Sequence, residues 1–372
     1  MALTLLKFSN PVRLLPGLLL AVGLAGGAFF LSDFIGSFSQ SVKLPISPIL
    51  LAIVLGVIVK STFGLSPVFK SGIDFGIKKL LRFGIVLMGI RLSIFEVIKI
   101  GSVAIFMVAL CIAAALAITL FLSQKIGMSQ KLGALIAAGT SICGVSAIVA
   151  VSPTIDAREN ETTYAIAVIT LFGIVATLFY PYLTELVFNL PVVEAGFFMG
   201  TSVHDTSQVV ATSLIYDQLW SHKSVGGLSG ADIAITTKLI RNTFMVIVIP
   251  FLGFWFEKNK TDSRKSKSKT RFEIIRYIPI FVIGYILMGF ARSLGDFIWG
   301  GDNYAWVQVW SGIKLSASYL ITIAIACIGL STDVRKIFKL GYKPLLCGLT
   351  AALTVGLVSW ILVTQFGKYL NF

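Results

Sequence analysis

Long apolar runs alternate with short polar segments along nearly the whole chain of 372 residues. Most runs are close to the ~20 residues that an α-helix needs to cross the hydrocarbon core of a bilayer. They predict eleven spans, near residues 14–32, 45–60, 72–91, 97–122, 131–152, 161–184, 192–214, 232–256, 274–294, 308–331 and 341–366. The pattern therefore predicts an all-α polytopic membrane protein with about 11 transmembrane helices.

Two polar segments interrupt this pattern from inside predicted spans. Residues 139–150 read GTSICGVSAIVA and residues 200–211 read GTSVHDTSQVVA, so that a shift of 61 aligns Gly, Thr, Ser, the later Ser and the closing Val-Ala. Glycine and polar residues at this depth favour a broken helix whose freed backbone groups line a site. Paired breaks of this kind are the best sequence indicator of a transporter's binding site. We therefore expect two discontinuous helices.

A second internal match predicts inverted repeats. Residues 89–101 (GIRLSIFEVIKIG) and 329–341 (GLSTDVRKIFKLG) share their flanking glycines and a lysine, and the predicted spans place them at opposite membrane surfaces. Matching elements of opposite direction are typical of inverted-topology transporters. The two Gly-Thr-Ser segments do not fit this scheme, since eleven full spans give them the same direction. Either one of them is re-entrant, or their likeness reflects shared chemistry.

The charge distribution supports the membrane class and orients the chain. Charged residues make up only 13% of the sequence and apolar residues 56%, whereas a soluble protein carries about twice that charged fraction. The net charge of +14 argues for positive-inside loops rather than for nucleic acid. One set of alternate loops holds most positive charges: Lys7, Arg13, Lys60, Lys70, Lys78, Lys79, Lys125, Lys131, the run from Lys258 to Arg276, Arg335, Lys336, Lys339 and Lys343. This set predicts a cytoplasmic N-terminus and an outside C-terminus; the loop at 185–191 has no positive charge to support it. The first apolar run has no convincing small-residue cleavage site before Asp33, so we expect it to be retained as the first helix.

A basic, Ser-rich segment divides the sequence. Residues 259–270 read NKTDSRKSKSKT, which is typical of a flexible linker. We expect eight transmembrane helices with both broken segments in 1–256, a basic cytoplasmic linker at 257–273, and three transmembrane helices in 274–372.

The two broken segments supply the candidate substrate site. A half-helix that starts in mid-membrane presents unpaired N–H groups and a positive dipole end, which suit an anion. Lys238 and Arg241, one turn apart in a later span, could neutralise the same anion or pair with Asp205; both interpretations stay open. The predicted substrate-binding residues are Thr140, Ser141, Cys143, Gly144, Ser146, Thr201, Ser202, Ser207, Gln208, Lys238 and Arg241.

His204 and Asp205 are adjacent and ionisable, about halfway along a predicted span. Such a pair in a membrane is a candidate for proton or ion coupling, because a group must gain and lose charge during a transport cycle. Enzyme motifs of the GxSxG, HExxH, P-loop and paired CxxC types do not occur, so we expect no catalytic residue, cofactor or metal.

With these motifs the sequence resembles the YeiH-type bacterial inner-membrane family, which is described as a sulfate exporter family. GTSICGVSAIVAVSPTIDARENETTYAIAVITLFGIVATLFYPYL resembles its first signature, and SVHDTSQVVAT followed by DIAITTKLIRNTFMVIVIP resembles its second. Asp205 stands where Glu is commoner, and Thr206-Ser207 where Val-Ala is usual. The resemblance implies the fold group of cation/proton antiporters and anion transporters, with panel and core domains interleaved in sequence, two crossing discontinuous helices and a homodimer.

The sequence thus predicts a secondary active transporter of a small inorganic or organic anion in the bacterial inner membrane. Sulfate, a related sulfur oxyanion or a sulfonate is the expected substrate, with H⁺ as coupling ion and alternating access of elevator type. One alternative is a sodium-coupled symporter of an organic anion, in which Asp205 completes an Na⁺ site. A second alternative is a membrane scaffold or sensor that transports nothing.

Overall fold

The computed structural model describes residues 11–38, 47–220, 227–258, 280–333 and 341–367. Within these ranges the chain is helical. The helices are α1 (Pro11–Phe38), α2 (Pro48–Phe63), α3 (Pro67–Phe75), α4 (Leu81–Met88), α5 (Ile94–Lys125), α6 (Gln130–Ser141), α7 (Val145–Val151), α8 (Glu159–Tyr182), α9 (Val192–Ser202), α10 (Thr206–Leu219), α11 (Gly230–Thr243), α12 (Met245–Lys258), α13 (Ile280–Trp299), α14 (Tyr304–Ser331) and α15 (Tyr342–Phe366). A π-helical stretch, Gly76–Leu80, joins α3 to α4, and another, Leu183–Val187, extends α8. The predicted linker at 257–273 lies almost wholly outside the described residues.

The helices form two compact units that are interleaved in sequence. Unit 1 comprises Met1–Ile94 and Ile283–Lys336, and unit 2 comprises Phe95–Val282 and Ile337–Phe372. Both broken segments and the cations of α11 belong to unit 2.

Membrane spans account for most of the described helices. Seven are long and apolar enough to cross a bilayer: Val12–Ile35, Ile94–Lys125, Glu159–Val187, Gly230–Phe256, Ile280–Trp299, Tyr304–Ser331 and Tyr342–Phe366. α2 is apolar but shorter. Large apolar side chains point outward from these helices, as Phe95 (77% exposed) and Phe297 (88% exposed) do. This surface suits lipid, so the predicted all-α membrane fold is confirmed.

Unit 1 is held together by helices that approach closely at small residues. A Cβ at Gly56 of α2 would lie 2.8 Å from the carbonyl oxygen of Ala326 in α14. Gly17 of α1 and Gly72 of α3 face each other in the same way. Small residues permit such contacts between membrane helices, where dispersion rather than the hydrophobic effect drives packing.

The first broken segment, α6 and α7, is a hairpin whose two ends lie together. The hydroxyl of Ser129, just before α6, donates to the carboxylate of Glu161 in the first turn of α8. The Lys131 ammonium donates to the carbonyl oxygen of Asp156, in the turn between α7 and α8. The chain therefore leaves the first hairpin (130–151) at the end of unit 2 where it entered.

The second broken segment, α9 and α10, also returns to the end where it begins. α9 begins shortly after the end of α8. Near the end of α10, the Tyr216 hydroxyl donates to Glu185 at 3.3 Å, and the Trp220 ring packs edge-on against Tyr182 at 5.9 Å. Tyr182 and Glu185 both belong to the C-terminal end of the α8 helix and its extension, so the second hairpin (192–219) enters unit 2 from that end.

α8 connects the two hairpins and shows that they enter from opposite ends. Its 24 residues rise roughly 36 Å, enough to cross the bilayer once. Neither hairpin crosses, because half-helices such as α6, with 12 residues, are too short for a ~30 Å core. The expectation that spans 131–152 and 192–214 cross in the same direction is therefore wrong. Both are re-entrant, and their motifs face each other in inverted orientation.

Because these two segments do not cross, the predicted sides of two loops also change. Arg158 lies at the end of unit 2 that carries Lys125 and Lys131, and the 185–191 loop lies at the other end. The second internal match, 89–101 with 329–341, includes undescribed residues 334–340, so its repeat relation stays a prediction.

Candidate functional site

The tip of the first hairpin is a tight turn at Gly144. Its φ of 62° and ψ of −123° are strained for any residue with a Cβ. The Gly144 N–H donates to the carbonyl oxygen of Gly139 at 3.0 Å, which closes the turn. A Cβ at this position would lie 2.9 Å from Oδ2 of Asp205, at the tip of the second hairpin. The two hairpins therefore touch tip to tip inside unit 2.

The tip of the second hairpin is organised by Asp205, the N-cap of α10. Its Oδ1 accepts hydrogen bonds from the Ser207 N–H at 2.9 Å and the Ser207 hydroxyl at 2.5 Å. Its own N–H donates to Oε1 of Gln208 at 3.2 Å, which completes a capping box. The Gln208 amide in turn donates to the carbonyl oxygen of Thr170 in α8 at 3.3 Å. The positive end of α10 is thus already occupied by a carboxylate of the chain itself.

Lys238 bridges the two tips from α11. Its side chain is completely buried, and its ammonium donates to three main-chain carbonyl oxygens: Ile142 at 2.9 Å, Val203 at 2.9 Å and His204 at 2.5 Å. An ammonium has three N–H donors, so each of them has an acceptor. The first carbonyl belongs to the first hairpin and the other two to the second.

Arg241, one turn further along α11, repeats this arrangement and is also completely buried. Its Nε donates to the carbonyl oxygen of Ser141 at 2.8 Å, and Nη2 donates to that of Thr140. Nη1 donates to Thr201 at 2.8 Å and to Val203 at 3.0 Å. The guanidinium therefore also joins both hairpins to α11.

The carbonyls that the two cations bind in the first hairpin are those that the helix break leaves without an amide partner. The carbonyl oxygens of Ala138 and Gly139 accept the N–H groups of Ile142 and Gly144. The next three carbonyls along the chain, residues 140–142, accept from Arg241 and Lys238. Unpaired carbonyls at a helix C-terminus carry a partial negative charge. Two such ends, brought together away from water, explain why two cations are buried here.

Most predicted hydroxyl ligands are engaged by their own helices. The hydroxyl groups of Ser141, Thr201 and Ser202 donate to carbonyl oxygens one turn back, at 2.6, 2.7 and 2.5 Å. Ser207 is bonded to Asp205, as described above. Within the described part of the chain, Thr140 keeps a buried hydroxyl with no hydrogen-bond partner.

Two other predicted substrate-binding residues, Cys143 and Ser146, make no hydrogen bond to the opposite tip among the described residues. Cys143 is buried with its Sγ 3.3 Å from the Met245 sulfur, so it packs inside unit 2. Ser146, in the first turn of α7, is exposed on unit 2. Asp205 and Thr206 are only partly buried, so the tip is accessible at its α10 side.

His204 is buried at the tip, and neither of its ring nitrogens has a hydrogen-bond partner among the described residues. The Thr237 hydroxyl and the side-chain amide oxygen (Oδ1) of Asn242, both on α11, are buried and have no hydrogen-bond partner within the same ranges. Native proteins satisfy most buried polar groups, so an accumulation of unsatisfied ones indicates a water, ion or ligand site. Of the eight such atoms in the described residues, five belong to the tips and α11.

The prediction missed three residues of the site, namely Thr237, Asn242 and Ser359. Asn242 donates to the Thr206 hydroxyl at 3.1 Å, and its place beside Arg241 in a polar stretch of α11 was a usable signal. Ser359 in α15 shares a hydrogen bond of 2.6 Å with Thr201, and a single serine in an apolar helix gives no such signal. The described residues contain no group of three or more His, Cys, Asp and Glu side chains that could hold a metal ion.

Comparison with known proteins agrees with a membrane role. A family model described as conserved hypothetical protein 698 matches residues 16–348. A UPF0324 membrane protein of Bacillus anthracis is 31% identical over 320 residues, which cover 86% of this chain and 87% of that protein. A UPF0324 membrane protein of Fusobacterium nucleatum is 30% identical over 331 residues, covering 87% and 91%. One from Streptococcus pyogenes is 29% identical over 361 residues, covering 96% and 99%.

Proposed function

The chain belongs to the conserved hypothetical protein 698 family of UPF0324 membrane proteins, and we propose that it is a secondary transporter of a small anion. Membership of the YeiH-type family, predicted from the two motifs, is confirmed by these matches. Sulfate, another sulfur oxyanion or a sulfonate is the proposed substrate class, and protons are the proposed coupling ions. The proposed location is the bacterial inner membrane, with the N-terminus cytoplasmic and the C-terminus outside.

The observation that carries this proposal is the meeting of two re-entrant hairpins, from opposite ends of unit 2, around buried cations. Half-helices that end in mid-membrane cost stability, since their terminal backbone groups must be satisfied without water. Transporters use such ends to bind substrates and ions near the bilayer midplane. Among the described residues, buried polar atoms of Thr140, His204, Thr237 and Asn242, on the tips and α11, also have no hydrogen-bond partner, and a bound molecule would supply one.

Charge balance at the tips favours an anion. Each hairpin brings one helix C-terminus and one helix N-terminus to the tip, and these ends carry about half an elementary charge each, of opposite sign, so they cancel. The side chains leave Lys238 and Arg241 against the single carboxylate of Asp205. A monoanion would neutralise the remaining positive charge. A dianion such as sulfate would do so if Asp205 took up one proton.

Asp205 and His204 are the proposed proton carriers. Asp205 is only partly buried, at the tip that Lys238 joins to the first hairpin, and the proposed cycle requires a proton to reach it from water. Neither ring nitrogen of His204, at the same tip, has a partner in the part of the chain that the structure describes, and a proton and a substrate oxygen could engage them. Because the site lies within one unit, alternating access in which unit 2 moves as a body is the mechanism that preserves its geometry.

A ligand screen tests the proposal. Thermal unfolding of the purified protein would be followed with sulfate, sulfite, thiosulfate, sulfonates, carboxylates and phosphate at two pH values. A ligand at 100 times its dissociation constant stabilises the native state by about 2.7 kcal/mol, which a melting curve resolves easily. We expect one anion class to raise the midpoint more at low pH than at high pH. A protein that no anion stabilises at either pH would instead fit the scaffold or sensor alternative.

A further inference from the structure

Lys238 and Arg241 make seven hydrogen bonds, all to main-chain carbonyl oxygens of the two hairpin tips. None of these bonds goes to the carboxylate of Asp205. The sequence predicted two possible roles for these cations, substrate binding and pairing with Asp205. The structure shows a third role, which is to bind main-chain carbonyls.

We propose that Lys238 and Arg241 are permanent, covalently attached counter-cations of the hairpin tips, and that they take the place of a coupling metal cation. Carbonyls at broken helices and half-helix C-termini are the groups that bind Na⁺ in transporters. In this protein the ammonium of Lys238 sits among three such oxygens, and all three of its donors are used. These three carbonyl oxygens, of Ile142, Val203 and His204, form a carbonyl cage that the Lys238 ammonium already fills. The transport cycle therefore needs no Na⁺.

The same bonds join the hairpins into one body. Each cation donates hydrogen bonds to carbonyl oxygens of both tips, and both cations are carried by α11. Moving one hairpin away from the other would remove hydrogen-bond acceptors from two completely buried positive charges. Leaving a buried charge without its partners costs a large amount of free energy. The hairpins and α11 therefore move together, and neither hairpin acts as an independent gate.

The inference that transport needs no Na⁺ rests on the proposed transport function. The inference that the Lys238 ammonium fills the carbonyl cage does not depend on that function. A test on protein stability alone separates the two, because it requires no substrate and no flux. Lys238→Ala removes the ammonium and leaves three buried carbonyls unpartnered. Lys131→Ala is the matched control, since Lys131 also donates to a backbone carbonyl but lies at the end of unit 2.

The experiment compares thermal unfolding of the purified full-length native protein and both variants in equal concentrations of sodium, potassium, choline or n-propylammonium chloride. We expect the native midpoint to be the same in all four salts. Lys238→Ala should unfold ~5 °C or more below it in choline. Na⁺, or n-propylammonium as a replacement for the missing side chain, should restore part of that loss, and Lys131→Ala should show neither effect.

Three results would overturn the inference. These are a native protein that Na⁺ stabilises relative to potassium and choline, a Lys238→Ala variant with the native midpoint, and a lowered midpoint that no cation restores. If Lys238→Ala cannot be purified, Lys238→Arg and Lys238→Met replace it. Folded protein from the arginine variant alone supports the inference, and equal yields of folded protein from both contradict it.

Discussion

The two hairpins touch at Gly144 and Asp205, so Gly144→Ala is a direct perturbation of the site. Two costs follow from the geometry. The backbone at φ 62° and ψ −123° disfavours a residue with a Cβ. The added methyl group would also lie 2.9 Å from Oδ2, 3.1 Å from Cβ and 3.3 Å from Cα of Asp205. Because Cα and Cβ cannot rotate away, relief requires the tips to separate.

The size of the effect can be worked out from these terms. A residue with a Cβ in this sparsely populated region of φ and ψ costs about 1–3 kcal/mol. Overpacking by one methyl group in a packed interior adds about 1–3 kcal/mol. Together they predict a destabilisation of about 2–6 kcal/mol, which at about 2–4 °C per kcal/mol in a unit of roughly 220 residues lowers the unfolding midpoint by about 4–24 °C.

Gly127→Ala is the control for a methyl group added to a glycine of positive φ away from the tips. Gly127 has a φ of 64°, and its added methyl group would meet only the Lys343 ammonium, at 3.8 Å. We expect the unfolding midpoint of the purified protein to fall by about 2–8 °C for this variant, less than for Gly144→Ala. Equal shifts in the two variants would refute the tip-to-tip contact.

Two further predictions test the packing and the topology of unit 2. Gly173→Ala places a methyl group inside the space of the Gln208 amide and should lower the unfolding midpoint by several degrees, whereas Gly312→Ala, with no atom within 4 Å, should not lower it. Single cysteines at the exposed positions 130 and 159 should react with a membrane-impermeant maleimide from the same side of the membrane, and a cysteine at 187 from the other side. Labelling of 130 and 159 from opposite sides would mean that the first hairpin is a full span.

The apolar runs predicted the membrane class, and the Gly-Thr-Ser segments within them predicted both helix breaks. Neither predicted the path of the chain at those breaks. A hairpin of two half-helices such as 130–151 has the same apolar length as one span, so hydropathy cannot tell them apart. Two weak signals were present. Arg158 lay in a predicted outer loop, and the 185–191 loop, predicted to be cytoplasmic, had no positive charge. Both are explained once the hairpins return to the end where they began.

The partners of Lys238 and Arg241 could not be predicted for a different reason. A sequence shows which side chains are charged, so it suggests that buried cations pair with carboxylates such as Asp205. The partners found are main-chain carbonyls, and every residue has one. Only the turn at Gly144 and the end of α9 leave these particular carbonyls unpaired, and that is a property of the three-dimensional path.

The central claim is that the hairpin tips bind an anion whose movement is coupled to protons through Asp205. Uptake of the stabilising anion into proteoliposomes in sodium-free buffer, driven by a pH gradient, tests it most directly. Asp205→Asn keeps the oxygen that caps α10, and Asp232→Asn is the control because Asp232 also forms a buried capping box, at the start of α11. The account predicts that a pH gradient drives uptake by the native protein and by Asp232→Asn. Uptake by Asp205→Asn should be the same with and without the pH gradient. Full gradient-driven uptake by Asp205→Asn, or no anion uptake by the native protein, would contradict it.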